Sequence, residues 1–215
     1  MYRVLLVEDD PMARQLLEIY INNYPNYVLF QSIESAAMAE IHCMSGFVDV
    51  ILMDVCTAMN VNGIEVAEKL KRNYPKIKII VITSYPECSF IYKAKEACVD
   101  SFWYKSATAE EILSIMDRTM NGERIYPDEF PVVKLGEDTS DSFSKRELEV
   151  LRYIVEGETD AAIAEKLFIT VSAVKYHIQN MKNRTGFRNR TELAVRARES
   201  GIVIGEIKKT NKRSK

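Results

Sequence analysis

Two apolar runs near the start of the chain end in carboxylates. Residues 4–7 are followed by Glu8 and Asp9, and residues 50–53 are followed by Asp54. Neither run alternates apolar with polar residues, which is typical of strands buried on both faces of a parallel sheet. Because the carboxyl ends of parallel strands lie at one edge of the sheet, we expect the three carboxylates to meet there. Their mutual repulsion favours a bound cation, and an all-oxygen ligand set suits magnesium.

Two later apolar runs end in groups that can hold a phosphoryl oxygen. Thr83 ends the run at residues 78–83, and Lys105 follows the run at residues 101–104. A hydroxyl donates a hydrogen bond to such an oxygen, and a lysine ammonium neutralises its charge. Each of these groups also has an explanation that needs no binding site. Thr83 could simply be a β-branched residue at the end of a strand, and Lys105 could be an ordinary surface lysine. The acids could be present because the first turns of helices favour negative charge. The order of all these groups along the chain favours a site for a phosphoryl group.

The first 121 residues alternate predicted strands with predicted helices. Strands are expected at residues 4–7, 27–33, 49–54, 78–84 and 101–105. Helices are expected at residues 11–24, 35–44, 64–74 and 87–97, and from residue 108 onward. The first helix is expected to carry Met12, Leu16, Ile19 and Tyr20 on one apolar face. Five strand–helix units with short connections predict an α/β fold with a doubly wound, five-stranded parallel sheet.

The composition is that of a soluble globular protein rather than a membrane protein. Of the 215 residues, 47% are hydrophobic and 28% are charged, and no apolar run approaches the roughly 18 residues that a membrane span needs. The chain enters a strand at once, so we expect no signal peptide. The four cysteines lack C-x-x-C spacing, which favours reduced thiols and a cytoplasmic location over a metal cluster.

The charge is divided unevenly along the chain. Residues 1–140 hold 13 Lys+Arg against 21 Asp+Glu, a net charge of −8, whereas residues 141–215 hold 16 against 10, a net charge of +6. An acidic half joined to a basic half indicates one part that handles cations and another that binds a polyanion.

The region after residue 121 changes character twice. Residues 122–141 contain Pro127, Pro131 and Gly136 without a sustained period, so we expect a linker with one short ordered piece near residues 130–135. The final residues, 206–215, are basic and are expected to be disordered.

Between the linker and the tail, residues 142–205 predict a small all-α domain of four helices. Their caps are Ser144, Thr159, Thr170 and Asn189. The second and third helices are joined by a tight turn, which is helix-turn-helix geometry. The third helix is expected to bury Val174, Ile178 and Met181. Its opposite side carries Lys175, Tyr176, Gln179 and Lys182, which suit either base edges in a major groove or simply a solvated surface.

The first set of residues resembles a known family. Glu8 with Asp9, Asp54, Thr83 and Lys105 look like the acid pair, phosphoacceptor, switch hydroxyl and lysine of a bacterial response-regulator receiver domain. The resemblance covers residues 1–121 and implies that a sensor histidine kinase supplies the phosphoryl group.

The same resemblance implies two further roles. Magnesium would be bound by Glu8, Asp9, Asp54 and the backbone carbonyl of Cys56, and Phe102 would change rotamer when the switch hydroxyl moves. A buried ring without a switching role is the alternative for Phe102.

The loop after Asp54 departs from the family pattern. It lacks the usual proline and reaches Gly63 one residue later than usual. A phosphorylation-independent regulator of the same fold is therefore kept as the alternative. A haloacid-dehalogenase-like phosphatase needs a second aspartate two residues after the nucleophile, and Cys56 stands there. We therefore expect no enzyme in the ordinary sense.

The basic half is similar to the LuxR-type DNA-binding domain of NarL/FixJ response regulators. The resemblance rests on S-K-R-E-L-E-V-L, I-A-E-K-L-F-I-T, V-K-Y-H-I and G-F-R-N-R-T-E-L-A over residues 142–203. It implies that bases are contacted by Lys175, Tyr176 and Gln179. It implies phosphate contacts or local supports at Thr170, His177, Lys182 and Arg190. A homodimer on inverted-repeat DNA half-sites is also implied, so the whole chain is expected to be a cytoplasmic transcription regulator switched at Asp54.

Overall fold

The two strands that end in carboxylates are neighbours at the centre of a five-stranded parallel sheet in the computed structural model. The strands are β1 (Tyr2–Val7), β2 (Tyr27–Ile33), β3 (Val50–Asp54), β4 (Cys56–Thr57), β5 (Val61–Asn62), β6 (Lys78–Thr83), β7 (Ser101–Tyr104), β8 (Lys134–Leu135) and β9 (Asp138–Thr139). The sheet order is β2-β1-β3-β6-β7, while β4 pairs with β5 and β8 with β9 in small antiparallel hairpins.

The structure describes residues 1–87, 89–129 and 131–203. Apart from residues 85–88, the first of two compact units spans residues 1–128, and the second follows it. The tail predicted at residues 206–215 lies outside the described residues. Within the described parts of the chain, no helix combines the length and apolar character that a membrane span requires.

Helices lie between the strands of the first unit as the alternating pattern predicted. They are α1 (Pro11–Asn22), α2 (Ala39–Cys43), α3 (Gly63–Asn73), α4 (Ser89–Glu96) and α5 (Ala109–Met120). The central strand β3 is buried along its whole length, which explains its unbroken run of apolar residues. The α/β prediction with five parallel strands is confirmed.

The structure differs in detail from two expectations for the helices of this unit. Helix α1 buries Leu17 and Ile21, and Tyr20 packs partly buried against the same core, whereas Met12, at 82% exposure, and Leu16 face solvent. The helix has two overlapping apolar stripes one residue apart. The structure buries the stripe with Leu17 and Ile21, whereas the sequence pattern favoured the stripe with Met12 and Leu16. The helix expected at residues 35–44 is a 3₁₀ turn at Ala36–Met38 followed by the short α2.

The second unit is a helical domain with its own apolar core. Its helices are α6 (Lys145–Val155), α7 (Asp160–Lys166), α8 (Val171–Thr185) and α9 (Arg190–Glu199). As expected, Val174, Ile178 and Met181 of α8 are buried in this core. The four predicted helices are therefore present.

The core of the second unit extends into the predicted linker. Leu135, in the β8–β9 hairpin, is buried among the core residues of the helices. The backbone N–H of Glu137 donates to the carbonyl of Thr185 at 3.0 Å. A Cβ on Gly136 would lie 2.1 Å from that same carbonyl oxygen, so only glycine allows this approach. The hairpin thus packs on the last turn of α8.

Candidate functional site

Three carboxylates converge at the carboxyl edge of the central strands. Val7 pairs with Met53 across β1 and β3, so Glu8 and Asp54, the next residues, lie side by side. Together with Asp9, each offers an oxygen within 4.8 Å of the others. Glu8 and Asp54 are buried and Asp9 is exposed, which leaves the cluster open to solvent on one side. The geometry is the one expected from the strand ends.

Lys105 joins this cluster from the end of β7. Its Nζ lies 3.0 Å from Asp54 Oδ2 and 2.5 Å from Glu8 Oε2. Burial alone would favour the neutral amine, but the attraction of Asp54 and Glu8 outweighs it and raises the pKa of Lys105. The lysine is therefore a fixed positive charge between the two buried carboxylates.

The charge of Asp54 is only partly compensated. Burial raises the pKa of Asp54 to about 7, with a contribution from the charge of Glu8, while Lys105 and the N–H of Val55 act in the opposite direction. Three carboxylates face one ammonium, so a divalent cation would relieve the remaining repulsion. The oxygen donors and their mutual distances fit such an ion, and magnesium prefers this ligand type.

The loop after Asp54, which contains no proline, closes through a hairpin. Cys56 pairs with Asn62 and Thr57 with Val61. At its tip Met59 and Asn60 both have positive φ values, 66° and 55°. These two residues make a tight turn, and the half-buried Cys56 lies in the hairpin strand that follows Asp54 and Val55.

The same loop is anchored at two points, beside its tip and where it returns to the sheet. The N–H of Ala58 donates to the carbonyl of Glu34, and the hydroxyl of Ser35 donates to the carbonyl of Ala58. Where the hairpin ends, the N–H of Gly63 donates to the carbonyl of Val55 at 2.8 Å. A Cβ on Gly63 would lie 1.9 Å from the carbonyl oxygen of Asp54, so the loop can return to the sheet here only through glycine.

Thr83 and Phe102 lie on neighbouring strands at the same end of the sheet. Thr83 ends β6, is fully buried, and pairs with Tyr104 of β7. Its carbonyl accepts the N–H of Lys105 at 2.9 Å, which ties the lysine to the strand that carries the hydroxyl. The ring of Phe102 is completely buried and meets Tyr104 edge-on at 5.6 Å. Phe102 therefore occupies an inward position.

Sequence reasoning missed the role of Arg14. One guanidinium nitrogen donates to the carbonyl of Glu8 at 2.9 Å, and another lies 3.2 Å from the carboxylate of Glu34. Arg14 thus connects the backbone of the acidic cluster to the segment that anchors the loop. Arg14 lies in the first turns of the helix that follows Glu8 and Asp9, and this position was the one sequence signal for a contact with the acid pair. An arginine at that position is equally compatible with a solvent-exposed face of the helix.

In the second unit, α7 and α8 form the helix-turn-helix predicted from the sequence. Thr170 caps α8 by accepting the N–H of Ala173 at 3.1 Å. On the side opposite the buried stripe, Lys175, Tyr176 and Gln179 are exposed. Lys182 is half-buried, with its Nζ 3.4 Å from Gln179 Oε1. The three proposed base-reading side chains therefore share one open face.

The remaining candidates of this unit have local partners. Arg190 is bonded through its guanidinium to the carboxylate of Asp160 at 2.5 Å and to the carbonyl of Glu158. It therefore ties the start of α9 to the start of α7. His177 is half-buried and its ring meets that of Tyr176 edge-on at 5.9 Å.

Arg184 is a second support that the sequence did not reveal. It donates to Asp138 of the β8–β9 hairpin at 3.0 Å and to Glu147 of α6 at 3.1 Å. Its guanidinium carbon also lies 5.0 Å from the ring centre of Phe143. Arg184 therefore holds the C-terminal part of α8 against two other elements, a role that only the tertiary structure specifies.

Comparison with known proteins identifies both units. Residues 4–117 match the response regulator receiver domain, and residues 141–197 match the bacterial regulatory proteins of the luxR family. The response regulator protein VraR of Staphylococcus aureus is 27% identical over 208 residues, covering 94% of this chain and 98% of that protein. VraR of Staphylococcus saprophyticus is similar to the same extent.

Solved structures show the same fold. A structure of the RcsB–DNA complex is similar with a TM-score of 0.61 at 16% identity, covering 94% of this chain and 98% of that one. Another, of two RcsB dimers bound to two parallel DNAs, has a TM-score of 0.60 at 18% identity, with the same coverage. The receiver match alone spans more than half of the chain. The protein therefore belongs to the response regulators, with a receiver domain followed by a regulatory domain of the luxR family.

Proposed function

We propose that Asp54 accepts a phosphoryl group from a sensor histidine kinase. Magnesium would be held by Glu8, Asp9, Asp54 and the backbone carbonyl of Cys56. The observation that carries this proposal is the buried Asp54 carboxylate with Lys105 at 3.0 Å and two further carboxylates within ligand distance. The chain would therefore act as a substrate of its kinase and not as an enzyme with turnover of its own.

In the transfer, a carboxylate oxygen of Asp54 forms a bond to phosphorus while the bond between phosphorus and the donor atom breaks. The donor leaves with the electron pair of that bond. A bound magnesium ion supplies positive charge that offsets the incoming phosphoryl oxygens. Lys105 would pair with one phosphoryl oxygen, and the hydroxyl of Thr83 would donate to another. The ring of Phe102 would change rotamer when that hydroxyl moves.

The second half of the proposal is sequence-specific DNA binding. Helix α8 would enter the major groove, with Lys175, Tyr176 and Gln179 at base edges. Lys182 and His177 would contact phosphates. Thr170 and Arg190 would support the motif locally, by capping α8 and by tying α9 to α7.

The quaternary and cellular parts of the proposal follow from the DNA target. RcsB has been solved as dimers bound to DNA, and we infer a homodimer that reads an inverted repeat. A protein that regulates transcription in a bacterium works in the cytoplasm. We assign the receiver to residues 1–121 and the DNA-binding domain to residues 142–205. The β8–β9 hairpin of the intervening linker packs on that domain.

Phosphoryl transfer is tested by incubating the full chain with acetyl phosphate and magnesium and measuring the mass of the intact protein. We expect one added phosphoryl group in the wild type and none in Asp54→Asn or in the presence of a chelator. Asp10→Asn is the matched control. Asp10 lies beside the cluster and caps α1 by accepting the N–H of Ala13 at 2.7 Å, and asparagine caps equally well.

Labelling of Asp54→Asn would show that the acceptor has been misassigned. Absence of labelling in a folded wild type would favour the phosphorylation-independent regulator. Loss of labelling in Asp10→Asn would mean that the acidic cluster as a whole, rather than Asp54, determines the result.

A further inference from the structure

The turn between α7 and α8 exposes an aromatic side chain. Phe168 is 95% exposed, although its neighbours Leu167 and Ile169 both pack against the core of the second unit. Another phenylalanine of this unit, Phe143, is buried. The ring of Phe168 therefore contributes little to the stability of the domain.

The backbone at Phe168 is unfavourable for this residue type as well. Its φ is +54°, its N–H donates to the carbonyl of Glu165 at 3.2 Å, and the N–H of Ile169 donates to that of Ala164 at 2.9 Å. This is the Schellman end of a helix, where glycine is preferred. The same motif ends α6, and there the residue is Gly157, with a φ of +83°.

An exposed ring at a position that favours glycine indicates a role outside the fold, because neither packing nor backbone preference accounts for it. The turn leads directly into the cap of α8, Thr170. Residues 166–191 contain six Lys+Arg and no Asp or Glu. Among the described residues, the side chains of Lys175, Lys182 and Arg188 in this stretch form no ion pair. Phe168 therefore belongs to a segment of the chain with net positive charge, which suits a polyanion.

We propose that the ring of Phe168 packs against a deoxyribose of the DNA backbone when α8 lies in the major groove. This inference rests on the proposed DNA-binding function. The turn of a helix-turn-helix precedes the helix that enters the groove and so passes close to the backbone at the groove edge. Deoxyribose offers an apolar surface between the charged phosphates. The contact carries neither sequence information nor charge.

The proposal is tested in the full chain with Phe168→Gly and Phe168→Asn, both of which suit a positive φ. Two DNA probes are used: a duplex selected by the wild type from a random-sequence library, and an unselected duplex. Removing the strained ring should leave the Tm unchanged or raise it. The Kd should rise for both duplexes by a similar factor, roughly three- to tenfold for loss of part of an aromatic contact.

The salt dependence separates this contact from a charged one. The slope of log Kd against log salt should not change in the Phe168 variants, whereas Lys182→Ala should reduce it by about one. Val132→Ala is the matched control, because Val132 is an exposed apolar residue of the same unit that lies outside the basic stretch. Its Kd should equal that of the wild type.

Unchanged affinity in both Phe168 variants would overturn the proposal. A loss confined to the selected duplex would also overturn it, since the contact would then be with a base. If the wild type selected no duplex from the library and did not bind the unselected one, the DNA-binding function itself would fall, and this inference with it.

Discussion

Replacing Gly63 with alanine should both destabilise the receiver and impair phosphorylation. The added Cβ would lie 1.9 Å from the carbonyl oxygen of Asp54 and 2.9 Å from Cγ of Met53. Ordinary contact begins near 3.4 Å, so the two backbone segments must separate by about 1.5 Å. Met53 and Asp54 are buried, and such overpacking costs about 1–3 kcal/mol. We expect a loss near the upper end of that range, because the backbone itself must move.

Displacement of Asp54 should reduce phosphoryl transfer as well. The carboxylate must lie in line with the leaving group of the donor and within reach of the cation, and a misplacement of about 1 Å can cost a factor of roughly 100 in rate. Urea denaturation gives the free energy of unfolding, and the rate of mass gain with acetyl phosphate gives the rate of transfer. Under conditions in which the Gly63→Ala variant is fully folded, we expect its transfer rate to be at least about tenfold lower than that of the wild type.

Gly46→Ala is the control, because it also replaces a glycine of the first unit by alanine but does so away from Asp54. Gly46 has a φ of +70°, and a methyl group added to it would meet no atom within 4 Å, so its replacement should cost about 1–2 kcal/mol from backbone strain alone. Its phosphorylation rate should equal that of the wild type. A Gly63→Ala protein with wild-type stability and wild-type labelling would refute the view that this glycine holds the backbone of Asp54 in place.

Two further perturbations address the core and the DNA surface. Burial disfavours the charged form of Asp100, but the hydrogen bonds from Lys71, the N–H of Ile79 and Lys78 outweigh burial and hold its pKa below the ordinary value. Asp100 therefore binds a proton more readily in the unfolded chain than in the folded protein. The charged Asp100 stabilises the folded state fully above about pH 4, and this stabilisation falls as the pH drops below that value. Lys71→Met should cost about 2–3 kcal/mol at neutral pH in urea denaturation, less than a fully broken buried pair because the second lysine remains; no loss would show that the pair is dispensable. Lys175→Ala and Gln179→Ala should each cost roughly 1–3 kcal/mol on a selected duplex and relax the preference at one base pair. An unchanged preference in a binding-site selection would exclude these residues as base readers.

Much of the fold could be predicted because local signals and packing agree. The buried strands are recognisable as unbroken apolar runs, and the capping boxes at Thr108 and Ser144 begin their helices in the structure as expected. Where two local solutions are nearly equal, the sequence is insufficient. The helix α1 offers two apolar stripes, and the choice of Leu17 and Ile21 depends on what the helix packs against.

The site shows the same division. The convergence of Glu8, Asp54 and Lys105 follows from strand order alone, since parallel strands end at a common edge. The supports around the site depend on contacts between residues far apart in the chain. Arg14 reaches Glu34, and Arg184 reaches Asp138, and no local pattern specifies either pair.

Control of DNA binding by Asp54 is tested most directly by the affinity of the full chain for a selected duplex, measured with and without acetyl phosphate and magnesium. We expect the Kd of the wild type to change on phosphorylation, while the Kd of Asp54→Asn is the same under both conditions. An equal change in Asp54→Asn, or a phosphorylated wild type whose Kd does not change, would contradict the claim that Asp54 controls DNA binding.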